Sequence, residues 1–204
     1  MVLHFGACVL VMRRNLFIFW ILWCSLLQSE VIDRTLAIVN NHLVTLSDVR
    51  REREIRAVMG MQESKDDSTI LKELVDDQIV QEQIAQFPGV EVTDAQIDMA
   101  LRGYTDLRGV PLVVMREAIA RRLRTAEFIE LRFQPFIQAT DDEIRAYYEN
   151  IFVPEAEKRG LSPVPTLEQT KEALRENVVQ EKVKHEVDNW MEANRRRSDI
   201  EIFQ

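Results

Sequence analysis

Apolar and polar positions change rhythm twice within RTLAIVNNHLVTLSDVR, residues 34–50. An apolar run over 36–39 stops at Asn40 and Asn41, a second short run follows, and the spacing then becomes helical. Short β-rich runs flanking a turn predict a hairpin, and a three-to-four-residue rhythm predicts a helix. The stretch is therefore expected to form two strands leading into a helix over about 47–58, with Val49, Ile55 and Val58 facing inward. A lone hairpin is marginal in water and needs a third strand or a packing surface.

Most of the remaining chain has helical spacing. Thr45 with Asp48, Thr93 with Gln96, Thr140 with Glu143 and Thr166 with Gln169 each have the form of a capping box. In a box, the Thr oxygen and the acid or amide three residues on each satisfy a free N–H. A second helix is expected over about 68–86, with Ile70, Leu71, Leu74, Val75, Ile79 and Ile84 on one face; Phe87-Pro88-Gly89 stops it. A third, after Thr93, is short and ends near Gly103. A fourth opens at Pro111, suited to a first helical turn, and runs to Phe133 with Leu112, Met115, Ile119, Leu123, Ala126 and Glu130 in register. Pro135 ends it. A brief fifth covers 141–150 with Ile144, Tyr147 and Tyr148. Residues 152–165 hold Pro154, Gly160, Pro163 and Pro165, and read as a loop. A last helix from Thr166 to about Arg196 would be roughly 45 Å long at ~1.5 Å per residue.

The tail alternates at Ile200, Glu201 and Ile202, as a half-buried strand does. It is the best partner for the opening hairpin. Pairing it with 36–39 makes a three-stranded sheet from two distant parts of the chain. The closure cost of so long a loop grows only slowly with length.

The first thirty residues differ from the rest. Arg13 and Arg14 precede LFIFWILWCSLL, residues 16–27, in the manner of an export signal. The apolar run is shorter than the ~20 residues of a spanning helix. Residues 1–29 are thus expected to be a signal peptide, with Met12 as an alternative start and cleavage after Ser29. An uncleaved anchor is the rival. Both cysteines, Cys8 and Cys24, fall in this segment, so cleavage would leave no thiol and no disulfide.

The net charge of −8 disfavours nucleic acid as a partner. His42 sits beside a turn and His185 on the long helix, and neither has metal-ligand spacing nearby. There is no glycine-rich phosphate loop and no G-x-S-x-G. No catalytic residue, metal or cofactor is expected. Arg121, Arg122 and Arg124 read as a solvated helix face. Soft or aromatic residues could meet a partner: Met59 and Met61 at a polar turn, and Tyr104, Phe133, Phe136, Tyr147 and Tyr148 along an apolar groove. Met59, Met61, Tyr104, Phe133 and Phe136 are the candidate contacts.

The order of AIVNNHLVTLSDV, LKELVDDQIVQEQIAQFPGVEVTDAQIDMAL and TDDEIRAYYEN resembles the N-terminal chaperone region of SurA-type periplasmic proteins over about 31–150. EALRENVVQEKVKHEVDNWMEANRRRSDIEIF resembles the helix and strand that complete that domain. The resemblance implies a mainly α fold over 30–204, closed by a small antiparallel sheet of hairpin and C-terminal strand. It implies an ATP-independent holdase binding unfolded outer-membrane or envelope polypeptides in the periplasm. In relatives, parvulin-type prolyl isomerase domains follow the Y-Y-E-N segment. Here only 152–165 separates that segment from the last helix, so isomerase activity is not expected to carry over. A prolyl isomerase and a membrane-anchored envelope scaffold are the alternative readings.

Overall fold

The computed structural model describes residues 33–61 and 66–203. Residues 34–204 form one unit; the expected signal peptide lies outside the described residues. In chain order the elements are β1 (Thr35–Val39), β2 (His42–Thr45), α1 (Leu46–Val58), α2 (Asp67–Gln86), α3 (Asp94–Leu101) and α4 (Leu112–Phe133). A 3-10 turn (Gln134–Phe136), α5 (Asp141–Tyr147), a π segment (Tyr148–Phe152), α6 (Val153–Lys158), α7 (Leu167–Arg195) and β3 (Ile200–Ile202) follow. The fold is mainly helical with a small antiparallel sheet, as expected.

All four capping boxes form. The N–H of Thr45 donates to Asp48 at 2.9 Å, that of Thr93 to Gln96 at 2.8 Å, that of Thr140 to Glu143 at 2.8 Å and that of Thr166 to Gln169 at 2.9 Å. They open α1, α3, α5 and α7. α2 starts on a cap that sequence reasoning passed over: the Asp66 carboxylate accepts from the Thr69 N–H at 3.1 Å. Asp66 has no reciprocating side chain at the third helical position, so the box pattern is missing there.

The strand order is β2-β1-β3, with β1 in the middle. Ala37 faces Ile202, Ile38 faces Glu201 and Val39 faces Ile200, all antiparallel. The two distant strands thus meet as expected, and the Phe203 N–H extends the ladder to the Leu36 carbonyl at 2.8 Å. Asn40 holds the corner in the left-handed region, at φ 52°, which Asn tolerates better than most residues. Its N–H donates to the Asp199 carbonyl at 2.7 Å, and its side-chain oxygen accepts from the Asp199 N–H at 3.0 Å.

Among the described residues, three apolar clusters make the core. Ala37, Val39, Val44 and Val49 pack on Ile70, Val75 and Ile79 of α2 and on Met191 of α7. Ile55, Ile97, Val110, Met115 and Ile119 join α1, α3 and α4. Ala139 and Ile144 meet Leu174 and Val178 of α7. Fully burying a side chain of this size contributes about 1.5–3 kcal/mol.

Several expectations need correction. On α4, Leu112 is exposed, and so are Ala126 and Glu130. The buried set is Met115, Ala118, Ile119, Ala120 and Phe128. α4 contacts α2, α3 and α7, so no single stripe serves its whole length. The loop expected at 152–165 begins later, because the helical path runs on through α6 to Lys158. Pro154 lies within this continuous path, directly after the π segment, so its missing N–H falls where the helical pitch changes. Gly160, at φ 77°, ends α6, leaving 159–166 as the connection. Alternation in the tail implies a half-buried Ile202, yet that side chain is 52% exposed.

Candidate functional site

A groove of about 1050 Å³ runs between the end of α4, the start of the α5–π segment and the middle of α7. Phe133, Phe136 and Ile137 form one wall, Ala146, Tyr147 and Ile151 a second, and Val178, Lys182 and His185 of α7 the third. Pro135 cannot continue α4, so the chain tightens into the 3-10 turn, which carries Phe136 outward. Phe136 is 84% exposed, the most exposed large apolar residue among those described.

Phe133 is fixed by its neighbours. It meets Phe128 edge-on at 6.4 Å and Trp190 edge-on at 5.8 Å, and Phe128 meets Phe87 at 5.2 Å. The Arg132 guanidinium lies 5.7 Å from the Phe133 ring centre and 5.8 Å from those of Phe128 and Trp190. Edge-on rings and a cation over their faces are favourable arrangements of the ring quadrupoles. One end of the groove is therefore rigid, while Phe136 stands free at the rim.

The floor is tied to α7 by charge. Lys182 donates to the Gln138 carbonyl at 2.8 Å and to the Glu143 carboxylate at 2.8 Å. Arg175 donates to the Ala139 carbonyl at 3.2 Å. The segment leaving the 3-10 turn is thus held by two cations of one helix. Lys182 and the Thr140 N–H together hold the Glu143 carboxyl down to about 2, well below its ordinary 4.5.

The π segment shapes the second wall. The Val153 N–H donates to the Tyr148 carbonyl, a five-residue span, and the Asn150 amide donates to the Ala146 carbonyl at 2.8 Å. Such wide turns recur at functional sites. Tyr148 stacks on Phe152 at 5.6 Å and donates to the Pro165 carbonyl at 3.0 Å, which anchors the segment from behind.

A second polar cluster lies apart from the groove. Glu52 on α1 is 5% exposed. Its carboxylate takes Arg56 at 2.8 Å and Arg122 at 2.8 Å, with Arg121 at 3.5 Å. Arg121 also pairs with Asp77 at 3.1 Å, and Arg56 with Glu73 at 2.6 Å. Burial pushes the Asp77 carboxyl up, with Arg121 opposing. Arg121 and Arg122 are therefore half-buried partners of α1 and α2, not the solvated face expected from their neighbours in sequence.

Of the candidate contacts, the structure brings Phe133 and Phe136 together in the groove. Tyr147 joins them. Met59 and Tyr104 pack against the cluster of α1, α3 and α4, so Tyr104 does not line the groove as expected. Met61 stands 48% exposed at the edge of the described turn. Sequence reasoning missed Ile137, Ile151, Val178 and Lys182. Only the aromatic cluster around Pro135 signalled this place, because the other wall depends on a turn type that no local motif announces. Among the described residues, no helix is long and apolar enough to cross a membrane. No group of three His, Cys, Asp or Glu residues there is placed to hold a metal.

No protein-family model matches the chain. It is, however, distantly similar to SurA chaperones. Identity is 32% over 103 residues to the chaperone SurA of Escherichia coli O6:H1 and to that of Shigella flexneri, and 34% to that of Salmonella choleraesuis. The matched stretch covers 47% of this chain and 24% of those proteins, so the chain spans about a quarter of the length of the curated relatives it matches.

Proposed function

We propose that this chain is an ATP-independent chaperone of the bacterial periplasm, a holdase that shields unfolded outer-membrane or envelope polypeptides. The groove beside α7 is the observation that carries the reading, with Phe136 exposed at its rim and Phe133 anchored below. Exposed contiguous apolar surface in a folded protein usually serves a contact. From Val178 to Glu186, α7 advances about 12 Å along the groove. That length matches three or four residues of an extended chain at ~3.3–3.6 Å each. Apolar side chains would enter between Phe136, Ile137, Tyr147 and Ile151. The similarity to SurA chaperones supports the same role. Binding of this kind uses no cofactor and no catalytic group. The connection 159–166 stands where the resemblance puts an isomerase domain in relatives, and it is short.

The test is light scattering during dilution of a urea-denatured outer-membrane β-barrel protein. The purified chain is expected to suppress aggregation at near-stoichiometric ratios, and Phe136→Ser to lose most of that effect. No suppression at any ratio would remove the reading. A protease-coupled proline-peptide assay is expected to stay at background; acceleration would favour the isomerase alternative.

A further inference from the structure

We propose that the open edge of β3 takes an extended polypeptide segment as a fourth strand of the sheet. The register decides which backbone groups are free. The Asn40 N–H bonds to the Asp199 carbonyl and the Phe203 N–H to the Leu36 carbonyl, so residues 199, 201 and 203 turn their polar groups toward β1. In an antiparallel pair the intervening residues turn theirs the other way. The N–H and C=O groups of Ile200 and Ile202 therefore point off the edge, and no described residue bonds to them. A row of alternate donors and acceptors at strand spacing is complementary to one thing, another extended backbone.

The side chains support the same occupant. Ile200 and Ile202 lie opposite Val39 and Ala37, on the face that is buried in the core. Val39 and Ala37 are 0% exposed, yet Ile202 on the same face is 52% exposed. The apolar face thus continues past β1 and stops uncovered at β3. At the other edge, Val44 of β2 is 6% exposed, so the face is closed there. An added strand would bring an inward side chain over Ile202 and satisfy the free backbone groups together. A second copy of this chain is a poor occupant. β3 has three residues, and a β3-to-β3 contact would bury far less than the ~1,000 Å² of a stable interface. The site is separate from the groove, and recognition through the backbone is indifferent to sequence.

Amide hydrogen exchange of the full chain, read by NMR, tests this. The probe is an eight-residue peptide of alternating valine and threonine, compared with the same peptide N-methylated at alternate residues. In the protein alone, the Ile200 and Ile202 amides are expected to exchange freely and the Glu201 amide slowly. The plain peptide should slow Ile200 and Ile202 about tenfold or more, as pairing into a ladder does; the methylated peptide should not. Ile202→Pro removes one outward donor without touching a bond to β1 and should abolish the effect. Phe136→Ser should leave it intact, which separates this site from the groove. Slow exchange at both amides before peptide is added would mean the edge is already occupied and overturns the proposal. So would equal slowing by both peptides, or none at millimolar concentration.

Discussion

Glu52 and Glu143 are both glutamates gripped by cations from another helix, yet their surroundings differ. Glu52 has 6% of its side chain exposed and binds arginines of α1 and α4. Glu143 has 41% exposed and binds Lys182 of α7 while capping its own helix. A buried carboxylate must have partners, because leaving the partners or itself uncompensated inside the protein is costly. An exposed pair is weakened by water and salt and contributes little to global stability. The first therefore belongs to the joint of α1, α2 and α4, and the second to the local shape of the groove floor. Charge pairs of similar length thus serve structure in one place and positioning in the other.

The difference is tested hardest by Glu52→Ala. Three arginines would face the joint with one acid fewer, and unfolding free energy is expected to fall by about 3–5 kcal/mol in urea titration. An unchanged midpoint would show that water already reaches those guanidinium groups. Removing residues 199–204 comes next. It exposes β1 to solvent and loses the packing of Ile200, for about 2–4 kcal/mol. The thermal transition should shift down as a whole, and an unshifted one would refute the closing role of β3.

Glu143→Gln tests the exposed partner by pH. The folded carboxyl sits at about 2 against 4.5 unperturbed, so its stabilisation is present above about 4.5 and is lost as pH falls toward 2. This substitution should lower stability modestly near neutral pH, where the pairing is present, and flatten the profile between about 4.5 and 2, the two proteins converging in acid. Asp77 has the opposite sign: burial raises its carboxyl, so acid relieves its cost, and it partly offsets the loss from Glu143. Raising salt from ~0.05 to ~1 M should mimic the Glu143 substitution far more than the Glu52 one. The smallest effect on stability belongs to Phe136→Ser, within about 0.5 kcal/mol, since that ring is already in water. Its effect is expected in aggregation suppression alone.

Local signals carried much of the fold. The boxes at Thr45, Thr93, Thr140 and Thr166 needed only residues three apart, and each opens its helix. The match of hairpin and tail was readable because no other segment alternates. Half of the groove was legible too, in Phe133 and Phe136 either side of Pro135. Its other half was not: Ile151 reaches the groove by way of a π turn, and Val178 and Lys182 belong to a helix far along the chain. Phe128 falls outside the expected stripe because α4 changes partners along its length.

Near-neighbour chemistry was enough to set where helices begin, where the strands lie and that the mass of the domain is helical, because capping and alternation act over a few residues. Tertiary structure settled which charges are buried and where a cavity opens. Arg121 and Arg122 look like surface residues until α4 lies across α1, bringing Arg122 within 2.8 Å of a glutamate 70 positions away. Burial and partnership at such separations depend on how the helices pack, and no stretch of neighbouring residues encodes that.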